Sequence, residues 1–90
     1  MIRLAPEDAR GWRNRGMMRL YKGDNQGGLE DYDMALQYDP ADVLSWNNRA
    51  QAKVRLGDKP GAIADFKKAL ELRPDLGTAR TGLQRLGVTP

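Results

Sequence analysis

The stretch VLSWNNRAQAKVRLGDKPGAIADFKKALELRPDL, residues 43–76, decides the fold when it is laid over ARGWRNRGMMRLYKGDNQGGLEDYDMALQYDPAD, residues 9–42. The two align without a gap and ten of the 34 columns are identical: Trp12/Trp46, Asn14/Asn48, Arg15/Arg49, Gly23/Gly57, Asp24/Asp58, Gly27/Gly61, Asp31/Asp65, Ala35/Ala69, Leu36/Leu70 and Pro40/Pro74. Gly16/Ala50, Gly28/Ala62, Leu29/Ile63 and Tyr32/Phe66 are conservative matches in the same register. Self-similarity at a fixed period of this length marks a chain built from stacked supersecondary units.

Each unit reads as two helices. A Gly-Asp pair punctuates its middle, and a proline near its end stops the second helix from continuing. Asp24 and Asp58 stand where the second helices need N-caps. In the second unit, Trp46, Ala50 and Lys53–Val54 form the stripe of the first helix. Ala62, Ile63, Phe66, Ala69 and Leu70 form that of the second. The small pairs Gly16 with Gly28 and Ala50 with Ala62 fall where antiparallel helices must approach closely, which also accounts for the glycines at 27 and 28.

These features resemble the tetratricopeptide-repeat (TPR) pattern: a Trp early in helix one, a small residue four further on, the Gly-Asp turn, an Ala/aromatic/Ala series in helix two and a closing Pro. Trp12-Arg-Asn-Arg-Gly16 and Trp46-Asn-Asn-Arg-Ala50 are similar to a bacterial-style version with an Asn-Arg-Gly core. The resemblance implies an all-α fold, a right-handed superhelical solenoid of antiparallel helix-turn-helix hairpins with two full repeats plus a C-terminal capping helix. The family usually carries an apolar residue where Arg15 and Arg49 stand, and an aromatic where Arg19 and Lys53 stand. Asp31 and Asp65 recur with the two arginines, so ion pairs Arg15–Asp31 and Arg49–Asp65 are expected inside each unit, holding register as much as adding stability.

Residues 9–42 and 43–76 are thus the two repeats. Residues 1–8, MIRLAPED, match the last columns of both and read as the tail of a preceding repeat, so that the chain is expected to be cut from a longer array and to leave one side of its first helix incompletely covered. Residues 77–90 read as a capping helix and tail. Its helix is expected over Gly77–Leu86, with Ala79, Leu83 and Leu86 inward and Arg80 and Gln84 outward, the lid that terminal repeats need.

Composition narrows the chemistry. The 90 residues contain neither Cys nor His, which removes thiol nucleophiles, disulfides, the commonest zinc ligands and the commonest general base. No phosphate-cradling Gly loop is present, so neither an enzyme nor a cofactor or metal site is expected. No apolar run reaches the ~18 residues of a membrane span, and no secretory leader is evident, pointing to a cytoplasmic chain or a piece of a longer one. The net charge is +3 and the isoelectric point about 9.5, too mild a bias to name a partner.

In TPR proteins the first helices line a concave surface on which peptides dock. That resemblance assigns a partner-binding groove to Arg10, Arg13, Asn14, Met17 and Tyr21 of the first unit, to Leu44, Asn47, Asn48, Gln51 and Arg55 of the second, and to Thr81 and Arg85 of the cap. The charges segregate by helix. Arg10, Arg13, Arg15, Arg19 and Lys22 gather on the first helix of unit one, with no acid. Arg49, Lys53 and Arg55 do so in unit two. The second helix of unit one carries Asp24, Glu30, Asp31 and Asp33. The expectation is a protein-interaction scaffold with a basic, polar groove for a protein or an acidic peptide, held by Arg forks and Asn amides.

A TPR subtype grips the C-terminal carboxylate of chaperone peptides with a five-residue clamp, and the corresponding residues here are Arg13, Met17, Asn48, Thr78 and Gly82. Only Asn48 matches, with Arg13 a partial substitute, so no chaperone-tail clamp is expected. Self-association through the groove or the uncovered first helix is the competing expectation. Nucleic-acid binding would want aromatics on the groove, where Tyr21 alone offers stacking.

Overall fold

The computed structural model of the chain describes residues 8–89. Five helices follow one another: α1 (Ala9–Tyr21), α2 (Asn25–Tyr38), α3 (Val43–Arg55), α4 (Lys59–Leu72) and α5 (Gly77–Arg85). The expected preceding-repeat tail lies almost wholly outside the described residues. The chain is an all-α solenoid in which α1–α2 and α3–α4 are hairpins and α5 packs on the second.

One local device ends α1 and α3 and starts the helix after each. Gly23 and Gly57 have φ of 87° and 83°, the left-handed region that glycine enters without a Cβ penalty. The Gly23 amide donates to the Leu20 carbonyl at 3.0 Å and the Asp24 amide to the Arg19 carbonyl at 2.8 Å. The Gly57 and Asp58 amides repeat the pattern onto Val54 and Lys53 at 3.1 and 2.8 Å, so that the last carbonyls of each first helix are satisfied. The same aspartate then caps the next helix, accepting the Gly27 amide at 2.9 Å or the Gly61 amide at 3.0 Å. The recurrent Gly27 and Gly61 belong to this cap, since a Cβ at either would collide with the capping carboxylate. Gly28 is the packing glycine expected from sequence: a Cβ there would strike Leu20 and lie 3.0 Å from the Gly16 carbonyl oxygen.

The core is two clusters rather than one. Leu20, Tyr32 and Ala52 are buried together where α3 meets the first hairpin, flanked by Met17 and Leu29. Ala50, Ala62, Phe66, Ala69, Ala79 and Leu83 form the second, where α5 meets the second hairpin, with Trp46, Ile63, Leu70 and Leu86 against its edge. Each cluster is built on the aromatic of a second helix, Tyr32 or Phe66, so every hairpin completes its core with the helix that follows. The expected apolar face of α5 is present in Ala79, Leu83 and Leu86, while Arg80 and Gln84 are exposed.

Both expected ion pairs are made. Arg15 grips Asp31 with two hydrogen bonds of 2.9 Å, and Arg49 grips Asp65 at 2.8 and 2.9 Å. The guanidinium of Arg15 also lies 5.1 Å from the Trp12 ring centroid, and that of Arg49 lies 4.9 Å from Trp46, within cation–π range. A second cation joins each carboxylate: Arg19 at 3.6 Å from Asp31 and Lys53 at 3.0 Å from Asp65. The positions where the family usually has an apolar residue and an aromatic are here the two jaws of one charged clasp on a buried aspartate.

Candidate functional site

Packing among the helices defines the site. Helix α3 touches both α1 and α5, whereas α2 and α4 make no mutual contact among the described residues. The array therefore curves toward the side of α1, α3 and α5, and this concave side carries the groove expected from sequence.

Its first half is largely closed. Between α1 and α3 lies a recess of only about 60 Å³, lined by Met17, Leu20, Tyr21, Tyr32, Asn48, Gln51 and Arg55. Between α3 and α5 the groove opens to about 690 Å³, lined by Gln51, Val54, Arg55, Phe66, Gly77, Thr78, Thr81, Gly82, Arg85 and Leu86. Gln51 and Arg55 belong to both, so the compartments are continuous along α3.

The difference in size traces to one column of the repeat. Carrying the 34-residue period into α5 places Gly82 in register with Asn14 and Asn48. Asn48 sits over the first recess, floored by Tyr32. Gly82 has no side chain and lies against the ring of Phe66, the counterpart of Tyr32, closely enough that a Cβ would collide with it. Phe66 is left as an apolar floor with Val54 and Leu86 beside it.

Seven of the expected groove residues line these compartments: Met17, Tyr21, Asn48, Gln51, Arg55, Thr81 and Arg85. The other five do not. Asn47 is 4% exposed; its side-chain oxygen accepts the Thr78 hydroxyl at 3.3 Å, so it ties α3 to α5 instead of facing a ligand. Arg13 is engaged by Asp42 at 2.8 Å, and that buried carboxylate also accepts the Ser45 hydroxyl at 2.7 Å. Arg10 folds back on Asp8 at 3.2 Å, and Asn14 and Leu44 border neither compartment. Sequence reading missed the apolar floor of Val54, Phe66 and Leu86. The period carried one column further, to Gly82, is the signal that locates it.

The expected basic surface is also recast. All four arginines of α1 face carboxylates: Arg10 on Asp8, Arg13 on Asp42, Arg15 and Arg19 on Asp31. The sign segregation between first and second helices is mostly two halves of internal ion pairs. Arg49 joins the hairpins, holding Asp65 of its own and Asp33 of the preceding one, at 2.9 Å. Arg15 and Arg49 are held above the usual guanidinium value, chiefly by the hydrogen bonds from Asp31 and Asp65, and the Asp8 carboxyl is drawn down chiefly by its hydrogen bond with Arg10. Burial pushes the Tyr32 phenol up to about 12. On the groove itself, Arg55 donates to the Leu20 carbonyl at 3.0 Å, and among the described residues neither Arg55 nor Arg85 has a carboxylate partner.

Helical hairpins of one period, stacked through a common aromatic column with their first helices lining a groove, define a repeat solenoid. The TPR family profile matches residues 22–86, and the chain belongs to the tetratricopeptide-repeat family. Solved structures agree. The TPR domain of Arabidopsis OM64 is 30% identical with a TM-score of 0.87, the match covering 89% of this chain and 66% of that one. The second TPR domain of human RPAP3 is 26% identical, TM-score 0.87, over 90% and 68% of the two chains. The UNC-45 chaperone is 38% identical, TM-score 0.83, over 88% of this chain and 9% of that one. This chain thus spans about two thirds of the first two and a small part of the third. No curated protein sequence matches it significantly.

Proposed function

We propose that the chain is a non-catalytic interaction module that takes a partner protein or peptide on its concave face. The observation that carries this reading is the groove of about 690 Å³ between α3 and α5, within the ~300–1,000 Å³ typical of ligand sites and on the face toward which the helices curve. The RPAP3 relative supports it, having been solved in complex with an HSP70 peptide, SGPTIEEVD. No helix among the described residues is long and apolar enough to cross a membrane, and a cytoplasmic setting completes the reading.

The test is affinity capture from the source cells on immobilised protein, with Gln51→Arg on the shared wall of the groove and Lys67→Glu on the exposed outer side of α4 as a control. Capture lost with the first and kept with the second is the expected result. Equal capture by both variants overturns the proposal.

The chaperone-tail clamp is not part of this reading. Of its five positions, Arg13 is already paired with Asp42, Thr78 is bonded to Asn47, and Gly82 offers no side chain. Calorimetric titration with a free EEVD-ending peptide is expected to show no low-micromolar binding, and finding such binding would refute the point. Self-association keeps a place as an outcome: a dimer by light scattering that Gln51→Arg dissolves would give the groove to a second copy.

A further inference from the structure

The geometry points to a definite ligand chemistry for the larger compartment: we propose that it anchors a bulky apolar side chain of a peptide segment that carries carboxylates on both sides of that residue. This deepens the reading above and rests on it.

Three observations combine. The floor is apolar, made by Phe66, Val54 and Leu86, and it is open because Gly82 replaces the asparagine of the other repeats. Phe66 is 2% exposed and belongs to the core cluster, so the floor is held in place before anything binds, and occupying it needs little reordering of the protein. The walls carry Arg55 on α3 and Arg85 on α5, in a molecule whose other groove-side arginines are already neutralised by carboxylates. Arg55 is positioned by its bond to the Leu20 carbonyl, leaving the rest of its fork free to meet a carboxylate. A volume of about 690 Å³ exceeds what one side chain fills, and continuity with the smaller recess past Gln51 and Arg55 suits a segment running along the groove rather than a chain end stopped in it. The apolar residue supplies most of the buried area, and the two arginines set register and favour acidic sequences over basic ones.

The experiment is selection from a displayed library of random dodecapeptides with blocked termini, against the whole protein, followed by fluorescence anisotropy of the enriched peptides. Enriched sequences are expected to share one Leu, Ile, Met or Phe with Asp or Glu within two residues on each side. Their affinity is expected to fall at least tenfold on Thr81→Trp, which fills the compartment from an exposed position, and at least tenfold on Arg85→Glu. Circular dichroism reports whether each variant folds, and Arg85→Glu, also at an exposed residue, serves if Thr81→Trp does not fold.

Enriched peptides without acids, peptides indifferent to both variants, or no enrichment overturn the proposal. Peptides that resist Thr81→Trp but are lost with Tyr21→Ala leave the concave-face reading standing and remove this compartment as the anchor. A dimer by light scattering that Thr81→Trp dissolves assigns the compartment to a second copy, and likewise overturns the peptide occupant.

Discussion

In the first hairpin Arg15 holds Asp31 at 2.9 Å with 42% of the arginine side chain exposed; in the second Arg49 holds Asp65 at 2.8 Å, reaches Asp33 as well, and is 18% exposed. The two contacts are nearly equal in length and stand in the same columns of the repeat, yet their surroundings differ. Arg49 is enclosed by two hairpins and Arg15 by one. An ion pair's worth depends on how much water remains around it, because desolvation and Coulomb attraction both scale with burial. The same pair of letters, repeated after 34 residues, is therefore a moderate clasp in one place and a tight one in the other.

Removing the aspartates exposes that difference most sharply. Asp65→Ala leaves Arg49 and Lys53, each under 20% exposed, facing an empty site, and is expected to cost roughly 3 kcal/mol in urea or thermal unfolding. Asp31→Ala, whose partners are 42% and 35% exposed, is expected to cost less, roughly 2 kcal/mol. Equal losses would break the comparison.

The aromatic column separates the hairpins again at high pH. The Tyr32 phenol keeps its proton to about 12 in the fold against 10.0 ordinarily, so the folded state holds that proton more tightly than the unfolded chain. The stability this contributes is fully present below pH 10 and lost as pH rises toward 12. Tyr32→Phe, which installs the residue the second hairpin already has at Phe66, is expected to flatten the decline between pH 10 and 12 measured by circular dichroism. An unchanged alkaline decline would show that the phenol is not its source.

The two caps should not differ. Asp24→Ala and Asp58→Ala remove the same bond to the third helical amide, and each is expected to cost about 1 kcal/mol in thermal unfolding. A large inequality would mean that the shared turn is not as autonomous as its hydrogen bonds imply. Smallest of all, Asp33→Ala removes the bridge between the hairpins. Asp33 is 55% exposed, so the loss is expected to be a few tenths of a kcal/mol and to shrink in salt, as denaturant midpoints at two ionic strengths would show.

Much of this architecture can be read from the letters alone, because repetition supplies an internal control. The Gly-Asp turn, the capping aspartates and the coupled Arg and Asp columns each appear twice, and a local hydrogen-bond pattern or a paired charge leaves that kind of trace. What depended on one copy was harder to see. Lys53 and Arg19 read as departures from an aromatic column, and their shared role appears only when Asp65 and Asp31 are in place between the helices. Gly27 looked like a packing glycine until the cap geometry showed the carboxylate beside it. The open compartment follows from a single glycine in α5, outside the two full repeats, against a ring from α4. The exposure of Arg55 and Arg85 could not be separated from that of Arg13 until the internal carboxylates had found their partners.

The column that begins with Arg15 and Arg49 ends in Leu83, and the residue matching Asp33 is Lys67. An arginine at 83 would have faced a like charge; the leucine is instead wholly buried among Ala79, Phe66 and Ala50. The two joints of the molecule are thus welded with different solder. The α2/α3 joint adds charge to its apolar contact and softens with ionic strength, while the α4/α5 joint is apolar and weakens on cooling, so brine and cold would open this short spring at opposite ends.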